Sequence, residues 1–137
     1  MPVRQPFATE TVIEMLNPKG IVWVGLFASD LPRLAHFYEH TLGLRVIEHD
    51  DNCYIFDAGS GTLFEIWGKG FAAPKRKTPQ EQSMLIGFLV DRLEPVIENL
   101  QKRGLNPDAE IGRYLGTRWV RFSDPEGNRF ELKDNNG

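Results

Sequence analysis

The sequence predicts an α+β fold made of two βαβββ modules, and three observations carry that prediction. Phe56–Ile66 lies over Phe122–Leu132 without a gap, with Phe, Gly, Phe and Glu recurring in register. Upstream, Val24-Gly25 and Leu31 match Ile86-Gly87 and Leu93, and Gly43-Leu44 matches Gly104-Leu105. Within each half a β-rich run is followed by helix-spaced apolar residues and then by β-rich runs again. A repeat of this kind is one supersecondary unit used twice. It gives each half an equivalent glutamate, Glu65 and Glu131.

The elements follow in order. Residues 1–20 form an N-terminal arm outside the repeat. Its Thr11-Val12-Ile13-Glu14 has capping-box spacing, which predicts a short helix ending at Asn17-Pro18. The first module spans 21–67. Ile21–Phe27 is β-branched and aromatic, a strand. Ser29-Asp30 caps a helix that tolerates Pro32 in its first turn. Leu31, Leu34, Ala35, Tyr38 and Leu42 form its apolar stripe, and Gly43 ends it. Strands are expected at Leu44–His49, Asn52–Asp57 and Thr62–Trp67.

Residues 68–83 are rich in Gly, Pro and Lys and read as a solvated linker. The second module, 84–133, repeats the order. It has a strand at Met84–Val90, a helix with Leu93, Val96, Ile97 and Leu100 on one face, then strands near Leu105–Ile111, Leu115–Phe122 and Asn128–Lys133. Asp124-Pro125-Glu126-Gly127 supplies a tight turn, and 134–137 is a short tail.

Composition narrows the function. The chain has 137 residues, 41% of them apolar and 26% charged, enough for one domain with a real core. A formal net charge of −3 argues against a nucleic acid or an anionic membrane as partner. One cysteine, Cys53, excludes an intrachain disulfide and a Cys-rich metal site. No secretory leader pattern or membrane-length apolar run is present, so the expected compartment is the cytoplasm. No phosphate loop, nucleophile elbow or Cys–His pair is found. His36 and His40 have metal-ligand spacing, but the apolar stripe turns both toward solvent, and His49 stands exposed at a strand end.

The duplicated βαβββ, the Asp-Pro-Glu-Gly-Asn turn before Phe130-Glu131-Leu132, and the run Ser29-Asp30-Leu31 through Phe37-Tyr38 to Leu42-Gly43-Leu44 together resemble the vicinal oxygen chelate superfamily. That group includes glyoxalase I, bleomycin-resistance proteins and extradiol dioxygenases, and the resemblance covers about residues 20–133. It implies mixed sheets curled around a central cavity. In metal-dependent members a divalent ion sits there, held by His or Gln from the first strand and Glu from the last strand of each half. The last-strand positions match Glu65 and Glu131, but the first-strand positions fall on Trp23 and Leu85. Neither can bind a metal, so no metal site and no cofactor are expected.

Given that cavity, strand alternation puts Trp23, Gly25 and Phe27 on one face and Leu63, Glu65 and Trp67 on one face, with Tyr54 expected across the hairpin from Glu65. Trp23 is then either an aromatic wall or a plug. Glu65 and Glu131, if they share the cavity, are an acid–base pair or neutralised positions beside Arg129, Arg121 or Arg118. Tyr114, between Gly112-Arg113 and Leu115-Gly116, is expected on a loop beside the cavity, while the face of Trp119 is unassigned.

The leading expectation is a metal-independent, bleomycin-resistance-like protein that binds a small aromatic or cationic molecule. Trp23, Phe27, Tyr54, Trp67 and Leu85 would wall the site, and Glu65 and Glu131 would supply charge. The alternatives are a lyase, isomerase or dioxygenase-like enzyme that uses an atypical divalent-metal site or Glu65 and Glu131 as catalytic acid and base, and a dimerising module with a filled cavity. The resemblance also implies a homodimer, with modules exchanged between chains or not.

Overall fold

A computed structural model describes residues 15–70, 75–78 and 80–137. The capping-box segment 11–14 lies outside them. The first module is β1 (Trp23–Phe27), α1 (Leu31–His36, continued by a π turn over Phe37–Thr41), β2 (Arg45–His49), β3 (Cys53–Asp57) and β4 (Leu63–Trp67). The second is β5 (Ile86–Leu89), α2 (Leu93–Lys102), β6 (Gly112–Tyr114), β7 (Thr117–Ser123) and β8 (Arg129–Asp134). Each makes a four-stranded mixed sheet, ordered β1-β4-β3-β2 and β5-β8-β7-β6. The first and last strands of each module pair in parallel, β1 with β4 and β5 with β8. The α+β class and the two modules are therefore as the repeat predicts. No helix among the described residues is long and apolar enough to cross a membrane.

The recurring phenylalanines are the centre of the core. Phe56 stands opposite Phe64, and Phe122 opposite Phe130, in matching antiparallel hairpins. All four are at most 2% exposed. Burying a side chain of this size stabilises by roughly 1.5–3 kcal/mol. Phe88 of β5 then joins the halves, edge-on to Phe64 at 6.0 Å and to Phe130 at 6.2 Å. Tyr38 of α1 touches both as well, at 4.9 Å from Phe64 and 6.1 Å from Phe130. The helix-side faces of both sheets thus share one core.

Polar groups complete the junction. Glu126, in the turn before β8, accepts hydrogen bonds from the Ser29 and Asp30 backbone N–H groups, both at 2.8 Å. Arg118 of β7 forks onto Asp134 and Glu94, and Asp134 also accepts from the Leu93 N–H at the start of α2.

Two local expectations are corrected. β6 is a three-residue strand at Gly112–Tyr114 and not a longer one at 105–111. Pro107 has no N–H to donate, and the Asp108 N–H goes to the Arg121 carbonyl. Leu115 and Gly116, at φ 48° and 81°, form the tight turn that returns the chain to β7. The linker is also more than a solvated loop. Lys75 and Lys77 donate backbone hydrogen bonds to the Glu126 and Gly127 carbonyls, Lys77 Nζ reaches the Glu126 carbonyl, and Gln82 exchanges two bonds with the Arg129 backbone. Its described residues strap the second module.

Candidate functional site

Alternation decides which side chains are left for function. Phe64 and Ile66 of β4 point into the core, so Leu63, Glu65 and Trp67 stand on the opposite face. The β1 register places Trp23 beside Leu63, Gly25 beside Glu65 and Phe27 beside Trp67. Trp23 is 49% exposed, Phe27 62% and Trp67 40%. The six-membered ring of Trp23 occupies the space that a Cβ on Gly25 would need, so a glycine is required there. Trp67 Nε1 donates to Glu65 Oε1 at 3.0 Å, and Glu65 has no ion pair among the described residues. This is an aromatic face around an uncompensated carboxylate. Within one chain Trp23 lies on this face and fills no enclosed space.

Tyr54 is not part of that face. The register pairs Ile55 with Glu65 and Tyr54 with Ile66, which is fully buried. Tyr54 therefore lies on the helix side, stacked on His49 at 4.7 Å and on Phe56 at 6.0 Å. Ile55 takes the place expected for it. His36 and His40 are exposed, as the stripe on α1 requires.

The second module's outer face is built by the same rule. Phe130 and Leu132 are core, so Arg129, Glu131 and Lys133 line up on the other side of β8. Across β7 they meet Ser123, Arg121 and Trp119. On β5, Gly87 lies beside Glu131 and Leu89 is 72% exposed, and Leu85, just before the strand, is 41% exposed. Trp119 covers Gly112, and Lys133 reaches across Gly87 while its Nζ sits 5.2 Å from the Trp119 ring. Tyr114 pairs with Thr117 at the end of β6 and is exposed at the margin.

Glu131 differs from Glu65. Its Oε2 accepts from Arg121 at 2.6 Å, and its Oε1 lies 3.2 Å from Lys133 Nζ. Burial pushes this carboxyl up, but the bonds from Arg121 and Lys133 outweigh burial and hold it below the usual carboxylate value. Sequence reasoning named Arg121, Arg129 and Arg118 only as neutralising partners and left Trp119 unassigned; Arg118 stands on the other face of β7 and pairs with Asp134 and Glu94 instead. The signal for the wider set was present: Arg129 and Lys133 alternate with Glu131's neighbours along one strand and must share its face.

The two glutamates do not share one cavity within a chain. Phe64 and Phe130 face each other across the common core through Phe88, so their neighbours Glu65 and Glu131 point away from it on opposite outer faces. Glu65 and Glu131 therefore form no repelling pair within one chain.

A family model for the glyoxalase/bleomycin resistance protein/dioxygenase superfamily matches residues 20–132. The chain belongs to that superfamily. Solved structures agree on the fold. A protein from the mobile metagenome of V. pseudocholerae superposes with a TM-score of 0.72 at 18% identity, covering 90% of this chain and 100% of its own. A glyoxalase family protein from Bacillus anthracis gives 0.71 at 20% identity, with 89% and 99% covered. A lactoylglutathione lyase from Agrobacterium tumefaciens gives 0.67 at 17%, with 86% and 95% covered. None of the curated proteins matches this chain. At such identities the likeness speaks for the fold alone.

Proposed function

We propose that this member of the superfamily binds a small, flat organic molecule between the outer face of one module and that of the other, without a metal. The observation that carries the reading is the exposed cluster of Trp23, Phe27 and Trp67 around Glu65. Large aromatic groups gathered in the open on one sheet face mark a binding surface, and indole rings beside a carboxylate that has no ion pair among the described residues suit stacking with a charged or polar ring.

The donor set on these faces does not fit a divalent metal. Both oxygens of Glu131 are engaged by cations, Glu65 accepts from Trp67, and Trp23 and Leu85 stand where the superfamily's first-strand ligands would be. No group of three metal-ligating side chains occurs among the described residues.

Because the two faces point apart in one chain, a cavity between them takes a second copy. In a two-fold dimer the first face of one protomer covers the second face of its partner, twice. Charge favours this pairing. The first face carries Glu48, Asp57 and Glu65 against Arg45, while the second carries Arg121, Arg129 and Lys133 against Glu131.

Tryptophan fluorescence titrated with flat aromatic compounds tests the reading. Saturable quenching that Trp23→Ala abolishes, with the circular dichroism unchanged, is the expected result. A chain that no aromatic probe quenches, or quenching indifferent to Trp23→Ala, overturns it.

A further inference from the structure

We infer that the second module's outer face seats the anionic group of the ligand, so that the molecule bound is an aromatic carboxylate or an acid of similar shape. The inference rests on the small-molecule reading above and gives it a charge.

The cations there outnumber the carboxylates: Arg121, Arg129 and Lys133 line up around Glu131, and Asp108, bonded to Ser123, is already paired with Arg76. Arg121 and Lys133 are already committed to Glu131. Arg129 makes no side-chain ion pair or hydrogen bond among the described residues; only its backbone is held, by Gln82. The Nε atoms of both Arg121 and Arg129 are buried without an acceptor. Two orphaned donors on adjacent guanidinium groups are costly, since a buried donor without a partner keeps its desolvation penalty.

Their placement joins them to one acceptor. Arg129 faces Ser123 and Arg121 faces Glu131, so the two arginines are diagonal neighbours on the same face, within reach of a single bidentate group. Leu85, at the start of the β5 edge, and Trp119, on β7, supply apolar and aromatic surface beside this seat. A ring on that surface places its acid over the arginines. The neutral or cationic ring that Glu65 alone would favour leaves both Nε donors without an acceptor.

Calorimetric titration with three probes sharing one ring tests this: 2-naphthoate, 2-naphthamide and 2-naphthylmethylamine. The carboxylate is expected to bind about tenfold or more tightly than the amide, as a charge-assisted bond to arginine should give. That advantage should vanish in Arg129→Gln and shrink with added salt. Arg129→Gln breaks no ion pair, so folding is not at stake.

Amide or amine binding as tight as the carboxylate overturns the anion seat and leaves the small-molecule reading standing. Absence of binding by all three overturns both. Sedimentation separates a remaining case: if Arg129→Gln instead dissociates a dimer, the arginine is a subunit contact and the seat is refuted.

Discussion

The phenol of Tyr38 donates to the buried carboxylate of Asp124 at 2.8 Å, across 86 residues of sequence. This bond ties the helix of the first module to the turn before the last strand of the second. The same carboxylate accepts from the backbone N–H groups of Glu126 and Asn128, which shape the turn whose Glu126 side chain meets the Ser29 and Asp30 N–H groups. The modules are therefore joined by a polar lock at the edge of their aromatic core. Tyr38→Phe keeps the ring contacts and removes only the hydroxyl. It should destabilise the chain by about 1–3 kcal/mol, read from the urea midpoint. An unchanged midpoint would show that the bond carries no net stability.

Gly127 and Gly43 offer a controlled comparison, because both have φ 79°. A Cβ on Gly43 would meet nothing, whereas one on Gly127 would collide with the Lys75 carbonyl and the Arg76 nitrogen. Gly43→Ala should cost about 1 kcal/mol from backbone strain alone. Gly127→Ala should cost more, because it also displaces the strap. Equal melting temperatures for the two variants would mean that the strap is not held against the turn.

Acid sensitivity should come from the Arg118 fork. Hydrogen bonds from Arg118 lower the Glu94 carboxyl to about 2 and hold Asp134 well below the carboxylate range. A carboxyl depressed on folding stabilises the native state fully above its unfolded value, near 4. That contribution is lost as pH falls through the folded value, so stability should drop steeply between about pH 4 and 2. Asp124 works the other way. Burial raises its carboxyl, so its contribution belongs to low pH and fades as pH rises through the folded value. Arg118→Gln should flatten the acid limb of a stability–pH curve. A limb of unchanged steepness would assign acid lability to other groups.

The sequence made the modules legible because the repeated residues do two jobs at once. Phe56, Phe64, Phe122 and Phe130 fill the core, and the glutamate after each second phenylalanine must face the other way. The stripes on α1 and α2 were equally plain from spacing. The failures are failures of register and docking. Tyr54 was assigned one residue away from the true partner of Glu65, and a one-residue slip in a strand exchanges its faces. The hairpin pairs Asp57 with Leu63, a register that the loop sequence does not specify. The sharing of one core by the two helix-side faces depends on Phe88 and Tyr38 meeting residues of both modules. No periodicity encodes that contact. The apparent convergence of Glu65 and Glu131 on one cavity failed for this reason.

The proposed ligand site needs the first face of one chain to meet the second face of another. Complementation tests it most directly. Trp23→Ala damages only the first face and Trp119→Ala only the second, so each folded variant alone should bind an aromatic probe weakly. Unfolded together in equal amounts and refolded, they should regain full-affinity binding in about a quarter of the cavities, since half the dimers are mixed and each mixed dimer holds one intact pairing. Calorimetry of the mixture reads that fraction. A mixture that binds no better than its components would contradict the account and place the site within a single chain.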